Sequence, residues 1–286
     1  MLKQLTAVKI GIVLLILGNL SASLSDVAVK LLNGGISPFQ YMFIRQLICV
    51  LLLLPFWLKA SVKERQLGSI KVTLVRAHLM LAGSGFLMIA LTYLPLTTAN
   101  AVFYTAPLIM LPLSVCLLNE KAPVSKIIAS MIGFIGVLVI LRPSQFHWAA
   151  IFALACAITL ALYNVLVKKL PPGQPVTITL FWTSFISLPL AGILAVLFWQ
   201  PLSLFELILI ASSALFTMGY HASAISAYKQ AVTSHIALAE YSGLIFVTFF
   251  GVIWFNESPD GLTLLGILLI TLPMAPLRLR KNTKLV

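Results

Sequence analysis

The chain has 286 residues, of which 60% are hydrophobic and 9% are charged, against about 45–50% and about 25% in an ordinary soluble domain. With a mean hydropathy of +1.07, that composition excludes a soluble globule, a disordered chain and a disulfide scaffold, and it indicates a membrane protein. The formal net charge of +12, from 19 Lys and Arg against 7 Asp and Glu, raises nucleic acid as a partner, a question the positions of the charges decide.

Taken in chain order at about 20 residues per membrane helix, the apolar runs cover 7–29, 38–58, 77–94, 97–118, 123–141, 148–167, 176–198, 204–227, 233–255 and 261–277. Turn-forming residues separate them: Asn33-Gly34-Gly35, Pro95, Arg142-Pro143, Pro171-Pro172-Gly173, Pro201 and Ser258-Pro259. Backbone groups in hydrocarbon must be satisfied within their own segment, and barrel strands would be about half as long, so the runs predict helices. The expectation is an all-α integral membrane protein with ten transmembrane helices. A cleaved signal peptide is the competing reading of the first run, whose Ser21, Ala22 and Ser23 fit a cleavage site loosely.

With the N-terminus inside, 16 of the 19 basic residues fall on cytoplasmic segments, among them Lys59, Lys63, Arg65, Lys71, Arg76, Lys121, Lys126, Lys168 and Lys169. This asymmetry predicts cytoplasmic termini and an even helix count. It also leaves no basic stripe for nucleic acid. Cys49, Cys116 and Cys156 are odd in number and set in apolar runs, so they read as small core hydrophobes; no metal site is expected.

A shift of 137 residues lays Pro38 on Pro175, Tyr104 on Tyr241 and Asn119-Glu120 on Asn256-Glu257. Two units of five helices, 1–142 and 147–286 with a short basic tail, are expected from this repeat. An odd number per unit makes the second enter the membrane inverted, a plan that secondary transporters use around a mid-membrane site.

Leu94-Pro95-Leu96-Thr97-Thr98-Ala99, Ala106-Pro107-Leu108, Leu118-Asn119-Glu120 and Gly133-Phe134-Ile135-Gly136-Val137 resemble the first EamA repeat of the drug/metabolite transporter superfamily. Phe255-Asn256-Glu257-Ser258-Pro259 followed by Gly266 is similar to the same ending in the second half. The resemblance implies a multi-pass carrier of the bacterial cell inner membrane, with helices one to four and six to nine around a central cavity. Asp26, Lys30, Arg45 and Leu54-Pro55-Phe56 are similar to the branch of S-adenosylmethionine and riboflavin uptake carriers. Gly243-Leu244 departs from the pattern, which has a proline there as in Ala106-Pro107.

Arg45 stands seven residues into the second run, about 11 Å deep at 1.5 Å per residue. A charge there costs about 2.5–3.5 kcal/mol, and such groups face a pathway or a partner; snorkelling is the alternative. Its repeat mate is Trp182. Glu240 reads as the one acid well inside a run, able to pair with Arg45, bind a substrate cation or carry a coupling proton. Tyr104, Tyr241, Asn100, Tyr93, Asn19, Tyr163, Asn164 and Tyr220 complete the candidate pathway, each with interhelical hydrogen bonding as its alternative role. His221 is a second candidate proton carrier. Asp26 and Lys30, spaced i to i+4, are expected to pair locally or to act as a gate. His78 and His235 read as interfacial, Glu120 and Glu257 as loop caps, and Gly133 and Gly136 as packing positions.

An enzyme is disfavoured because Gly83-Ser84-Gly85 lacks a hydrolase context and no metal cluster is present. A channel would show filter loops. The reading is a secondary transporter of a small polar metabolite, amino-acid-, nucleoside- or cofactor-like, without a cofactor and working by alternating access. Export of drugs or amino acids by proton antiport is the alternative. Partners are the substrate, the bilayer and a coupling H+, in a monomer or homodimer.

Overall fold

A computed structural model describes residues 2–119, 124–141, 147–171, 173–230 and 237–272. Glu120, Lys121, Arg142, Pro172, His235 and the basic tail from Arg278 onward lie outside the described residues. The described chain is helical with connecting turns: α1 (Leu2–Leu31), α2 (Pro38–Lys59), α3 (Ile70–Tyr93), α4 (Leu96–Phe103), α5 (Ala106–Leu118), α6 (Val124–Leu141), α7 (Ala149–Leu166), α8 (Val176–Leu197), α9 (Leu204–Gln230), α10 (Ser242–Phe255) and α11 (Gly261–Thr271). Short 3-10 turns occupy Val167–Lys169 and Ala237–Tyr241.

Seven segments, with α4 and α5 taken as one, are long and apolar enough to cross a membrane, and three shorter apolar helices accompany them at Ser130–Ile140, Ala239–Phe255 and Gly261–Thr271. The three shorter ones lie next to stretches outside the described residues. The protein is therefore a multi-pass membrane protein.

Local chemistry sets the helix ends. Ser37 caps α2 by accepting from the Phe39 amide, with Pro38 in the first turn where no amide is needed. Ser203 and Glu206 form a capping box at the start of α9, the carboxylate accepting from the Ser203 amide at 2.8 Å and the Ser203 hydroxyl accepting from the Glu206 amide at 3.2 Å. Asp260 caps α11 through the Thr263 amide. Asn119 and Asn256 end α5 and α10 in the left-handed region, at φ of 54° and 52°, their amides returning to Ser114 and Gly251 carbonyls. The repeat-mate asparagines are thus a helix stop in each half.

The run expected as one helix over 97–118 is two helices, broken at Tyr104 and Thr105. Pro107 explains the break, because it lacks an amide and its ring crowds the carbonyl four residues earlier. Tyr241, the repeat mate of Tyr104, sits at the corresponding junction between the 3-10 turn and α10. In the second half α10 thus begins within a residue of the position where α5 begins in the first, although Leu244 replaces the proline.

In the packing, α1 lies chiefly on α9, α2 on α8, α3 on α7 and α6 on α11, while α10 crosses α4 and α1. Small residues permit the closest approach: a Cβ on Gly266 would overlap the Ile140 side chain and meet the Gly136 carbonyl at 2.7 Å. Cys49 and Cys156 are buried, but Cys116 is exposed on α5. That corrects the expectation that all three are core residues; a thiol on an outward face of a membrane helix meets lipid, which is as apolar as the core. Arg76, counted as a marker of a cytoplasmic segment, lies inside α3 and is fully buried.

Replacing Asn256 with valine forces a β-branched side chain into the left-handed region, at a cost of about 1–2 kcal/mol, whereas glycine is tolerated there. Unfolding in mixed micelles is expected to show Asn256→Val destabilised by that amount and Asn256→Gly near wild type.

Candidate functional site

The site begins with a stripe along α1. Asn19, Ser23, Asp26 and Lys30 recur at intervals of four, three and four residues, so they share one helix face. Asn19 Nδ2 donates to the carbonyls of Ala239 and Glu240, each at 3.0 Å, and so holds the 3-10 turn that carries Glu240. Ser23 Oγ donates to the Asn19 carbonyl at 2.8 Å and reaches the Gly243 carbonyl at 3.5 Å. Asp26 is buried, with Asn100 and the charge of Arg45 as its electrostatic partners. Glu240 is thus joined by a second buried acid, which the sequence reading placed at a helix end because the first run was taken to stop at Val29.

The expected Asp26–Lys30 pair does not form. Lys30 Nζ instead pairs with Glu257 Oε1 at 3.0 Å and donates to the Leu94 carbonyl at 2.7 Å. The other carboxylate oxygen of Glu257 accepts the Leu96 amide at 2.6 Å, at the first turn of α4. The physical reason is saturation: one ammonium satisfies a carboxylate and the carbonyls left open at the end of α3, while the carboxylate also stabilises the positive end of α4. Glu257, read as a cap of its own loop, therefore ties three chain segments together.

Arg45 lies deeper. Its Nη1 donates to the Tyr41 hydroxyl at 3.5 Å, that hydroxyl is 3.0 Å from Ser213 Oγ on α9, and Nε has no partner. Among the described residues no ion pair joins Arg45 to Glu240. Tyr104 feels the charges of both Asp26 and Glu240, and Tyr220 those of the same two acids. Tyr241 is buried, and its hydroxyl has no partner among the described residues. Tyr104 comes so close to Gly243 that a Cβ on that glycine would overlap the phenol. The glycine that stands in place of Ala106 in the second half is therefore the point where the break after α4 touches the start of α10.

Toward the opposite end, His221 packs against Tyr163 and Tyr220 with ring centroids 5.6 and 5.2 Å away. Arg76 Nε donates to the Tyr163 carbonyl at 3.2 Å, and the guanidinium lies 4.1 Å over the Tyr163 ring. Arg76 is the group that the sequence reading missed. Its position near a basic loop made it look like a topology marker, although a start of α3 at Ile70 already puts it about 9 Å along the helix.

Three candidates stand apart from this column. Trp182 donates through Nε1 to the Arg65 carbonyl at 2.8 Å and packs against Trp57, Phe181 and Phe185, so it joins the α2–α8 seam rather than facing Arg45. Tyr93 is exposed and packs on Trp148 at the end of α3. Asn164 is half-buried on α7 beside Tyr163. His78 is exposed on α3, eight residues from its start, with Nδ1 2.8 Å from the Leu74 carbonyl. A hollow between α2 and α8, lined by Phe43, Leu188, Pro189 and Ile193, is apolar.

The break between α4 and α5, the asparagine stops at 119 and 256 and the buried column coincide with a family match over residues 9–142 and again over 147–275 to the EamA-like transporter family. The chain belongs to this family. EamA-like proteins are membrane transporters, not enzymes. Among curated relatives, the S-adenosylmethionine uptake transporter of Rickettsia prowazekii is 28% identical over 91% of this chain and 89% of its own length. The riboflavin transporter of Vibrio cholerae is 25% identical over 84% and 83%, and the pseudopaline exporter of Pseudomonas aeruginosa is 24% identical over 93% and 95%. A solved crystal structure shares the fold with a TM-score of 0.67 at 18% identity, covering 95% of this chain and 96% of the other. This EamA-like chain thus carries its buried acids and arginines in a transporter fold.

A methyl group at Gly243 must displace Tyr104, and overpacking of this kind costs about 1–3 kcal/mol. Gly243→Ala is expected to lower the thermal midpoint of the purified protein, and Tyr104→Phe, added to it, to restore part of the loss by removing the overlapping hydroxyl.

Proposed function

We propose that the chain is a secondary carrier of the bacterial inner membrane, built from ten spans in two inverted units, 1–142 and 147–286, with both termini cytoplasmic. The repeat register supports the inversion. A shift of 137 residues takes α2 onto α8 and α5 onto α10 to within a residue. The same shift exchanges the α1–α9 contact for the α7–α3 contact, while α2–α8 and α6–α11 map onto themselves. That is the pairing a two-fold axis in the membrane plane produces. On this reading the Lys30–Glu257 end is periplasmic and the end bearing Lys59, Lys63, Lys168 and Lys169 is cytoplasmic.

The observation that carries the function is the buried column itself: a guanidinium and two carboxylates, Arg45, Asp26 and Glu240, sunk in the protein, with Glu240 on the 3-10 turn that leads into α10. Charges buried so deeply at a repeat interface form a substrate site rather than a packing device. Opposite charges in one column suit a zwitterion. Uptake of S-adenosylmethionine or a close analogue, with an amino and a sulfonium cation and a carboxylate, fits this chemistry and the printed function of the Rickettsia relative. Proton-coupled export through Glu240 and His221 is the second reading, favoured by the exporter among the relatives.

Alternating access requires a closure at each end. The Lys30–Glu257–Leu96 clamp is the periplasmic closure; Glu120, the repeat mate of Glu257, lies outside the described residues.

Two measurements test the carrier. Uptake of labelled S-adenosylmethionine into proteoliposomes is expected to fall at least about tenfold in Arg45→Ala and in Glu240→Gln at equal protein levels, and to accelerate with unlabelled substrate inside; wild-type rates in both variants would overturn the assignment. For the clamp, Glu257→Gln is expected to raise severalfold the rate at which an Asn100→Cys variant, freed of native cysteines, reacts with an impermeant maleimide added from the periplasmic side.

A further inference from the structure

Arg76 is more buried than Arg45, with no exposed surface, and no acid pairs with it among the described residues. Its Nε is spent on the Tyr163 carbonyl and its plane on the Tyr163 ring. Those two contacts are enough to tie α3 to α7. Two donors nevertheless remain buried without any partner, Arg76 Nη1 and the Tyr163 hydroxyl. Leaving a charged N–H and a hydroxyl unmet in a membrane interior costs more than the anchor requires, so the pair is built for something that arrives.

What arrives must accept hydrogen bonds and carry negative charge, since Nη1 only donates and Tyr163 has a proton to give. A guanidinium edge beside a hydroxyl suits a carboxylate. The position suits a ligand in transit: Tyr163 touches His221, His221 touches Tyr220, and Tyr220 reaches Glu240 and Asp26. The pair therefore continues the column toward the basic end of the bundle.

We propose that Arg76 and Tyr163 form a second station, at the basic end of the column, that binds the carboxylate of the transported metabolite. This rests on the carrier reading above. The substrate is then held by its carboxylate at two depths, near Arg45 and near Arg76, as access alternates.

Tyr163→Phe separates the station from a structural anchor, because it removes the hydroxyl and keeps both the ring under Arg76 and the backbone carbonyl that Nε uses. Calorimetric binding to the purified full chain is measured with S-adenosylmethionine and with its decarboxylated form. The wild type is expected to prefer the carboxylate-bearing compound at least about tenfold, and Tyr163→Phe to lose a severalfold part of that preference, Arg45 and Arg76 keeping the rest, with its affinity for the decarboxylated form unchanged. Arg76→Lys, which keeps the charge and loses the planar fork, is expected to lose part of it. An unchanged preference in Tyr163→Phe overturns the station. If the wild type binds neither compound, the substrate assignment of the carrier fails on its own. The same comparison is then made with methionine and its decarboxylated amine, and a wild type indifferent between these two overturns the station as well.

Discussion

Hydrocarbon supplies no hydrogen-bond partner, and every other feature of this protein follows from that constraint. It forces the backbone into helices, turns the few polar side chains inward and makes each buried charge find its partners within the protein. Lys30 shows how tightly the requirement binds: its ammonium meets a carboxylate and backbone carbonyls from two other segments. Glu257 in turn satisfies an amide that α4 leaves open. At the break near Tyr104 the turn satisfies its own backbone, the Tyr104 and Thr105 amides returning to Asn100 and Val102 and the Thr105 carbonyl accepting from Leu108 and Ile109.

The polar groups form a graded path rather than a pocket with a single centre. Near one end the clamp joins α1, the α3–α4 connection and the end of α10. Below it Asp26, Arg45, Tyr104 and Glu240 lie on four different segments, and below those the aromatic chain of Tyr220, His221 and Tyr163 leads to Arg76. Among the described residues the acids and arginines of this path form no ion pairs with one another, and Arg45 spends one N–H on the Tyr41 hydroxyl rather than on a carboxylate.

Much of this was legible before any coordinates. Composition placed the chain in a membrane, the 137-residue register laid α2 on α8 and α5 on α10 to within a residue, and Arg45, Glu240, Asn19 and Tyr220 stood out as polar groups in apolar runs, Tyr104 as a repeat mate of Tyr241. Trp182 was misjudged because a repeat register equates positions, not directions: the mate of a residue facing the centre joins a seam where its own helix rotates. Tyr93 has the same polarity as Tyr104 but sits at a helix end.

The sequence by itself determined the helical class, the two-part organisation and the scarcity of intramembrane charge, because these depend on local transfer free energy and on periodicity. Only the tertiary structure decided which charges meet. Lys30 choosing Glu257, 227 positions away in the chain, over Asp26 one turn earlier is a matter of where α10 ends in space. The burial of Arg76 was hidden for the same reason: a basic residue near a loop has one meaning in a hydropathy profile, and another once α7 is packed over it and its guanidinium lies on the Tyr163 ring.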